Sequence, residues 1–403
     1  MMPRGFRWLP LVLAVLTAGC VSGPRPPIKP VQLVQVQTEI PQHQLLDVGI
    51  AVFDPGVTPE DLEEEYQVVF EAVRQAEGHF IAIHLKETLQ ESGHWGAVRS
   101  LPSTEHLTDI TVSGEIIESN GYELVVWVHA VDSTGREWLD RTYKQEADSA
   151  VYAKNAVQNR DAFQNIYTEV ANDLLKKRSR LDPQDLNEIR QVARMRFAAD
   201  LAPVPYAGYL SISQRGRIEL ERLPSVDDPM MDRVARIKAR EDLFVDTLDQ
   251  HYANFYMEME GPYQNWRKFS YQEVLAYKRM KNKALTRKII GAAALLGAIL
   301  LDPTSSTQAM ALDFAAMGGL WAIQSGISTS QEAKMHVEAI RELAESFNAE
   351  IEPSVVEVEG RTLRLQGSAE TQYEEWRQLL REIYAEETGF GSDFTTSPES
   401  HGH

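Results

Sequence analysis

Residues 109–132 read DITVSGEIIESNGYELVVWVHAVD, and this stretch decides the fold. Ile110, Val112 and Ile116 alternate with polar residues, the period of a strand with one face buried. Tyr122 to Asp132 is almost wholly apolar, as a strand covered on both faces would be. Ser119-Asn120-Gly121 lies between them. Asn-Gly is the strongest short hairpin signal, because a type I′ turn needs positive φ at both central residues. An antiparallel pair follows.

Working outward, Asp132-Ser133-Thr134-Gly135 makes a second turn, into a third strand over 137–143. Upstream, Val48-Gly49-Ile50-Ala51-Val52-Phe53 is a short apolar strand stopped by Asp54-Pro55-Gly56. Thr58 to Ser92 has helical periodicity, with Leu62, Tyr66, Val69, Phe70, Val73 and Ala76 on one stripe. Gly78 is expected to break it, giving a second helix with Phe80, Ile83, Leu85 and Leu89. Gly93 stops that helix, and Trp95 to Leu101 begins a strand. Residues 45–148 therefore read as one α/β domain with antiparallel hairpins.

Residues 149–288 read as mostly helical. One stripe is Phe163, Ile166, Tyr167, Val170, Leu174 and Leu175; another is Leu186, Ile189, Val192, Ala193 and Phe197. Val234, Ile237, Leu243, Phe244, Leu248, Tyr252 and Phe255 run through a long helix after Pro229, and Pro262 is expected to open a further one. Residues 328–387 are expected to hold an amphipathic helix and then a ββα unit: strands at 355–358 and 362–365 around Glu359-Gly360, and a helix with Tyr373, Trp376, Leu379, Leu380 and Ile383. Residues 388–403 have the polar composition of a loose tail. The fold class is α+β.

Residues 289–327 differ in kind. Ile289 to Leu301 carries no polar side chain, Asp302-Pro303-Thr304-Ser305-Ser306 is a turn, and Ala309 to Ile327 is again apolar and small. This is an apolar helical hairpin whose glycines allow close backbone approach. Its first arm reaches about 20 Å, short of the ~30 Å core of a bilayer. Before it stand Arg267, Lys268, Lys278, Arg279, Lys281, Lys283, Arg287 and Lys288, a basic run in an acidic chain. Two readings stay open. The hairpin is buried in a helical core, with the basic residues on a solvated face, or the basic residues meet anionic headgroups while the hairpin dips into lipid. The candidate membrane or partner contacts are Lys281, Lys283, Arg287, Lys288, Leu296 and Leu300.

The amino terminus gives an address. Arg4 and Arg7 precede the apolar run Leu9 to Leu16, and Thr17-Ala18-Gly19 are small residues before Cys20. This is the layout of a secretory signal, covering residues 1–19. Leu16-Thr17-Ala18-Gly19-Cys20 resembles a lipobox, with Thr17 where Leu is usual. The resemblance implies cleavage before Cys20 and diacylglyceryl transfer to its thiol. Cys20 is the only cysteine in the chain, so an internal disulfide is excluded. Val21 follows it where Asp would retain an inner-membrane lipoprotein, which by resemblance implies the outer membrane. Residues 20–44 form a tether; four prolines in Pro24-Arg25-Pro26-Pro27-Ile28-Lys29-Pro30 keep its start semi-extended.

Residues 109–143 also resemble the amino-terminal domain of the Tol-Pal propeller protein and the periplasmic part of curli-secretion lipoproteins. The shared features are Val112-x-Gly114-x-Ile116, a glycine turn, a long apolar strand, and Asp132, Gly135 and Trp138 at the next turn. The resemblance implies an envelope assembly module with no enzymatic residue to carry over.

Charge and chemistry narrow the function. Without residues 1–19 the chain has 38 basic and 59 acidic residues, and 38 − 59 = −21. Nucleic acid needs a basic surface and is excluded as a partner. No nucleophile elbow, zincin helix, Walker loop or dinucleotide fingerprint occurs, and the ten histidines show no ligand spacing. His401 and His403 sit in the tail. No catalytic residue, metal or cofactor is assigned. The expectation is a non-enzymatic, lipid-anchored outer-membrane protein with its body in the periplasm, binding other envelope proteins as an assembly or scaffold factor. The alternatives are a homo-oligomeric export or channel component, and an envelope hydrolase of unrecognised type.

Overall fold

A computed structural model describes residues 28–57, 64–102, 104, 106–152, 160–225, 227–299, 355–358, 361–365 and 368–389. The described chain is a mixed α+β fold. Its centre is a five-stranded sheet in the order β2-β1-β3-β4-β5, from β1 (Val48–Ala51), β2 (Val98–Leu101), β3 (Ile110–Ser119), β4 (Glu123–Asp132) and β5 (Glu137–Glu146). β1 pairs in parallel with β2 and β3, whereas β3, β4 and β5 are antiparallel. The alternation along β3 buries Ile110, Val112 and Ile116, and β4 buries Leu124, Val125, Val126, Val128 and Ala130.

The turn between β3 and β4 is longer than the two-residue turn expected. Asn120, Gly121 and Tyr122 all lie outside the strands. The Asn120 side chain sets the loop: its Oδ1 accepts from the Tyr122 N–H at 3.1 Å and the Glu123 N–H at 2.8 Å. Such side-chain acceptance stands in for a backbone turn bond. Gly121 has φ +71°, and a Cβ there would lie 2.6 Å from the Arg267 carbonyl oxygen.

α1 (Glu64–Ser92) crosses between β1 and β2. It is one helix, so Gly78 does not break it. Gly78 is needed for approach: a Cβ there would collide with the Phe53 carbonyl oxygen at the end of β1. The ~1 kcal/mol cost of a helical glycine is outweighed by seating Val73, Ala76, Phe80 and Ile83 in the core. β2 begins at Val98, later than Trp95.

α2 (Gln164–Arg178) packs on β5 and α1, and α3 (Pro183–Leu201) follows. α3 starts at a capping box, with the Asp182 side chain accepting from Gln184 and Asp185, and Pro183 in the first turn. A small hairpin, β6 (Leu210–Ile212) with β7 (Ile218–Leu220), stands within the largely helical region. α4 (Pro229–Ile299) is a single helix of 71 residues. Pro262 lies inside it and opens nothing. The missing N–H and ring clash cost about 3 kcal/mol, but buried Phe255, Met259, Tyr263 and Trp266 continue the stripe through Pro262 and hold the helix together. Leu243, expected on that stripe, is 68% exposed. α4 also runs through the 288/289 boundary as unbroken helix, so the first apolar arm continues α4 as far as Ile299. The Asp302–Ser306 turn, the second arm and the amphipathic helix read before the last strands lie outside the described residues.

β8 (Val355–Val358) pairs antiparallel with β9 (Arg361–Arg364), and α5 (Ala369–Thr388) packs on α4. α1, α3, α4 and α5 share one core, including Phe80, Phe197, Phe244, Tyr252, Trp266, Tyr373 and Trp376. No helix among the described residues is long and apolar enough to cross a membrane.

The described residues 28–30, 148–152 and 160–162 fall in a separate small unit. Within it the Asp148 N–H donates to Ala162 O at 2.9 Å, and Arg160 lies 3.7 Å from the Asp148 carboxylate. From Val31 the chain belongs to the larger unit. Val31–Gln44 lies along that unit as a strap, closed by a 3-10 turn at Gln42–Gln44. Asn165 and Asn172, two turns apart on α2, accept from the Val31 and Val34 N–H groups at 3.0 Å each, and Asn172 also donates to Gln32 O at 2.9 Å. Val36 donates to Ser92 O at 2.9 Å. Arg178 and Arg190 donate to Gln44 O and Gln42 O at 2.9 and 3.1 Å.

Candidate functional site

The start of β1, the loop before β3, α3 and α4 enclose a cleft of about 520 Å³. Its size is that of a ligand pocket, but such pockets are mostly apolar and this one combines apolar residues such as Leu107, Phe197 and Val234 with many charged and amide side chains. Asp47, Arg99, His106 and Asp109 come from the sheet side, Asn187, Arg190, Gln191 and Arg194 from α3, and Lys238 and Asp242 from α4. The α3 residues sit at spacings of three and four, which puts them on one helical face.

One wall is a buried ionic cluster. The Lys238 ammonium donates to Glu241 at 3.0 Å and to Asp242 at 2.7 Å. Tyr373, from α5, donates its hydroxyl proton to Glu241 at 3.1 Å. Its oxygen then accepts from His106 Nδ1 at 2.8 Å, which leaves His106 Nε2 as the lone-pair nitrogen, 3.9 Å from Asp242. His106 and Glu241 are 1% and 2% exposed. Burial lowers the His106 pKa, partly opposed by Glu241, so the ring is neutral. Burial alone would raise Glu241, but His106 and the Lys238 charge outweigh it and hold the carboxyl at about 2. Burial acts to lower Lys238, and the two carboxylates reverse this and raise it.

His106, Glu241 and Asp242 have the composition and proximity of a metal site. The Lys238 ammonium already pairs with both carboxylates from within hydrogen-bond distance. The cluster therefore works as an internal lock joining α4, α5 and the loop before β3.

The floor holds a second pair of carboxylates. Asp47 Oδ1 accepts from the Ala97 N–H at 2.8 Å, and the Asp47 N–H donates to Asp109 Oδ2 at 2.9 Å. Burial pushes Asp109 up to about 6; the Asp47 N–H opposes this and the Asp47 charge adds to it. Arg99 is paired with Asp246 at 2.5 Å. Arg194 is exposed at the rim.

Sequence reasoning named none of these residues. His106 and Glu241 are 135 positions apart, so no spacing could link them. The residues it did name lie elsewhere. Cys20 and Leu300 are outside the described residues. Lys281, Lys283, Arg287, Lys288 and Leu296 are on the α4 backbone, and their side chains are not described. Arg267, read as part of the basic run, is 1% exposed. Its guanidinium lies 4.6 Å from the Phe163 ring centre and 4.9 Å from that of Tyr263, so its charge is held by aromatic faces inside the body. Lys268 beside it is exposed.

No protein-family model matches the chain, and no curated protein matches it.

Proposed function

We propose that the chain is a lipid-anchored envelope protein that acts by binding other envelope proteins, with Cys20 lipidated in the outer membrane and the body in the periplasm. The observation that carries this reading is the strap. A body serving a membrane-bound assembly must stand at a set distance from its anchor, and residues 31–44 are built into the body by hydrogen bonds to α1, α2 and α3. Only ten residues then lie between Cys20 and Val31, at most about 40 Å of chain.

The cleft supplies the recognition surface. Its acidic and basic groups on the α4 side are spent on each other, so what it offers a partner is the α3 face of Asn187, Gln191 and Arg194. Amide and guanidinium groups of this kind pair with the carbonyls and carboxylates of a polypeptide. On the same reading, β8, β9 and α5 make one ββα module that closes the cleft through Tyr373. The test is a photo-reactive residue at position 194 of the lipidated protein in its native envelope. Discrete adducts that disappear when Asn187→Glu and Gln191→Glu are added support the reading. Adducts unchanged by those substitutions count against it.

One observation favours the hydrolase reading instead. Asp109, at about 6, can give up a proton near neutral pH, as a general acid must. Hydrolysis of cell-wall material or esters by the purified protein, abolished by Asp109→Asn, would establish it.

A further inference from the structure

We propose that the end of the body where α4 projects is a membrane-contact surface for the anionic leaflet that carries the lipid on Cys20. The inference rests on the lipoprotein reading and adds the face of the body that meets the bilayer. Residues 281–288 lie among the headgroups, and the helix from Ile289 to Ile299 enters the acyl region.

The direction of three elements carries the argument. Phe163, at the start of α2, touches Arg267 of α4. Tyr167, one turn further along α2, stacks on His84 at 5.2 Å, and His84 Nε2 lies 3.2 Å from the Tyr256 hydroxyl. Moving forward along α2 therefore moves backward along α4, from 267 to 256. The strap runs parallel to α2, since Val31 is held by Asn165 and Val34 by Asn172. Followed towards Cys20, the strap thus heads the same way as α4 followed towards Ile299. Within the larger unit, the Val31 end of the strap and the Ile299 end of α4 point the same way.

The order of residues along α4 fits a helix entering a leaflet by its end. Tyr271 stacks on Tyr122 at 5.9 Å, and the Lys278 ammonium lies 3.6 Å from the Tyr122 ring centre. From Lys278 to Ile299 the helix continues for about 30 Å. The first part holds Lys278, Arg279, Lys281, Lys283, Arg287 and Lys288 with no acidic residue, and the second, from Ile289, no polar side chain. Body, basic segment and apolar segment follow one another as water, headgroup and acyl chain do. The described apolar part, Ile289 to Ile299, rises about 16 Å, roughly half the hydrocarbon core. It suits one leaflet, in keeping with the absence of a membrane-crossing helix among the described residues. The mature chain carries −21 overall, and a basic run on so acidic a chain favours its approach to anionic lipid.

The test uses the full lipidated protein in vesicles of phosphatidylglycerol and phosphatidylethanolamine. A polarity-sensitive fluorophore is placed through Ala293→Cys or, separately, Leu296→Cys, with Met257→Cys, 63% exposed on the body, as the aqueous control. The expected result is a blue shift at 293 and 296, loss of quenching by iodide, and quenching by nitroxide lipids, with none of these at 257. Replacing Lys281, Lys283, Arg287 and Lys288 together by Glu should return both labels to water while the protein stays on the vesicles. Labels at 293 and 296 open to iodide overturn the inference. So do labels shielded from both iodide and lipid nitroxides, the outcome for a segment packed on its own chain or a second copy. Should Cys20 carry no lipid, the protein fails to stay on the vesicles, and that failure is scored separately. The same labels on protein added to preformed vesicles then decide the helix.

Discussion

Replacing Asp109 by Asn should make the protein more stable at neutral pH, although the substitution removes a charge from a hydrogen-bonded group. Asp109 is 8% exposed, and burial raises its carboxyl from the usual 3.8 to about 6. For an acid whose folded pKa lies above its unfolded one, the native state holds the proton more tightly. Stability then rises as pH falls from about 6 to about 4, and above 6 the folded state bears the full cost of ionisation. The gap between 3.8 and about 6 corresponds to ~3 kcal/mol. Glu241 acts in the opposite sense. Held at about 2, it stabilises fully above 4.5, and this is lost only as pH falls from there towards 2. Between pH 4.5 and 6 Glu241 adds no slope. His79 and His106, lowered by burial, act in the opposite sense to Asp109, so the Asp109 contribution is read as the difference between variant and wild type. An asparagine at this position keeps an oxygen to accept the Asp47 N–H and carries no charge. Urea unfolding of wild type and Asp109→Asn, followed by tryptophan fluorescence from about pH 4.5 to about pH 7.5, measures the difference. The variant should gain up to about 3 kcal/mol near pH 7 and little near pH 4.5. Parallel profiles, or a variant less stable at neutral pH, would refute the reasoning.

Other outcomes follow from the packing. Gly78→Ala, which gains about 1 kcal/mol in an open helix, should instead lower the thermal midpoint, because the new methyl meets the Phe53 carbonyl; an unchanged or raised midpoint would mean α1 does not pack so closely on β1. Gly121→Val adds strain at φ +71° to a collision with α4 and should cost about 2 kcal/mol or more in denaturant titration. Lys238→Met leaves Glu241 and Asp242 without their cation and should destabilise by about 3 kcal/mol or more at neutral pH. That loss should shrink in acid as the carboxyls protonate, and a pH-independent loss would argue against the ionic lock.

The strands and most helices were legible because their signals are local. Alternation at Ile110, Val112 and Ile116 and the Asn120-Gly121 pair need only neighbouring residues to be read. Misreadings came where a distant contact outweighed a local rule. Gly78 and Pro262 are helix breakers by propensity, yet each lies inside a helix whose buried stripe continues across it. Arg267 looks like a surface cation in sequence, and only the approach of Phe163 and Tyr263 shows otherwise. The cleft was illegible for the same reason. Asp47, His106, Asn187 and Lys238 meet through the sheet and two helices, and no short window contains two of them. The strap has no periodicity at all; its order comes from asparagine side chains more than 130 positions away.

The central claim is that the chain is held at a membrane through Cys20, and mass spectrometry of the amino-terminal peptide of the protein purified from its native envelope tests it most directly. The account predicts a mature chain beginning at Cys20, with a diacylglyceryl thioether on the sulfur, and no such product from Cys20→Ala. A mature terminus at another residue, with an unmodified Cys20 thiol, would contradict it.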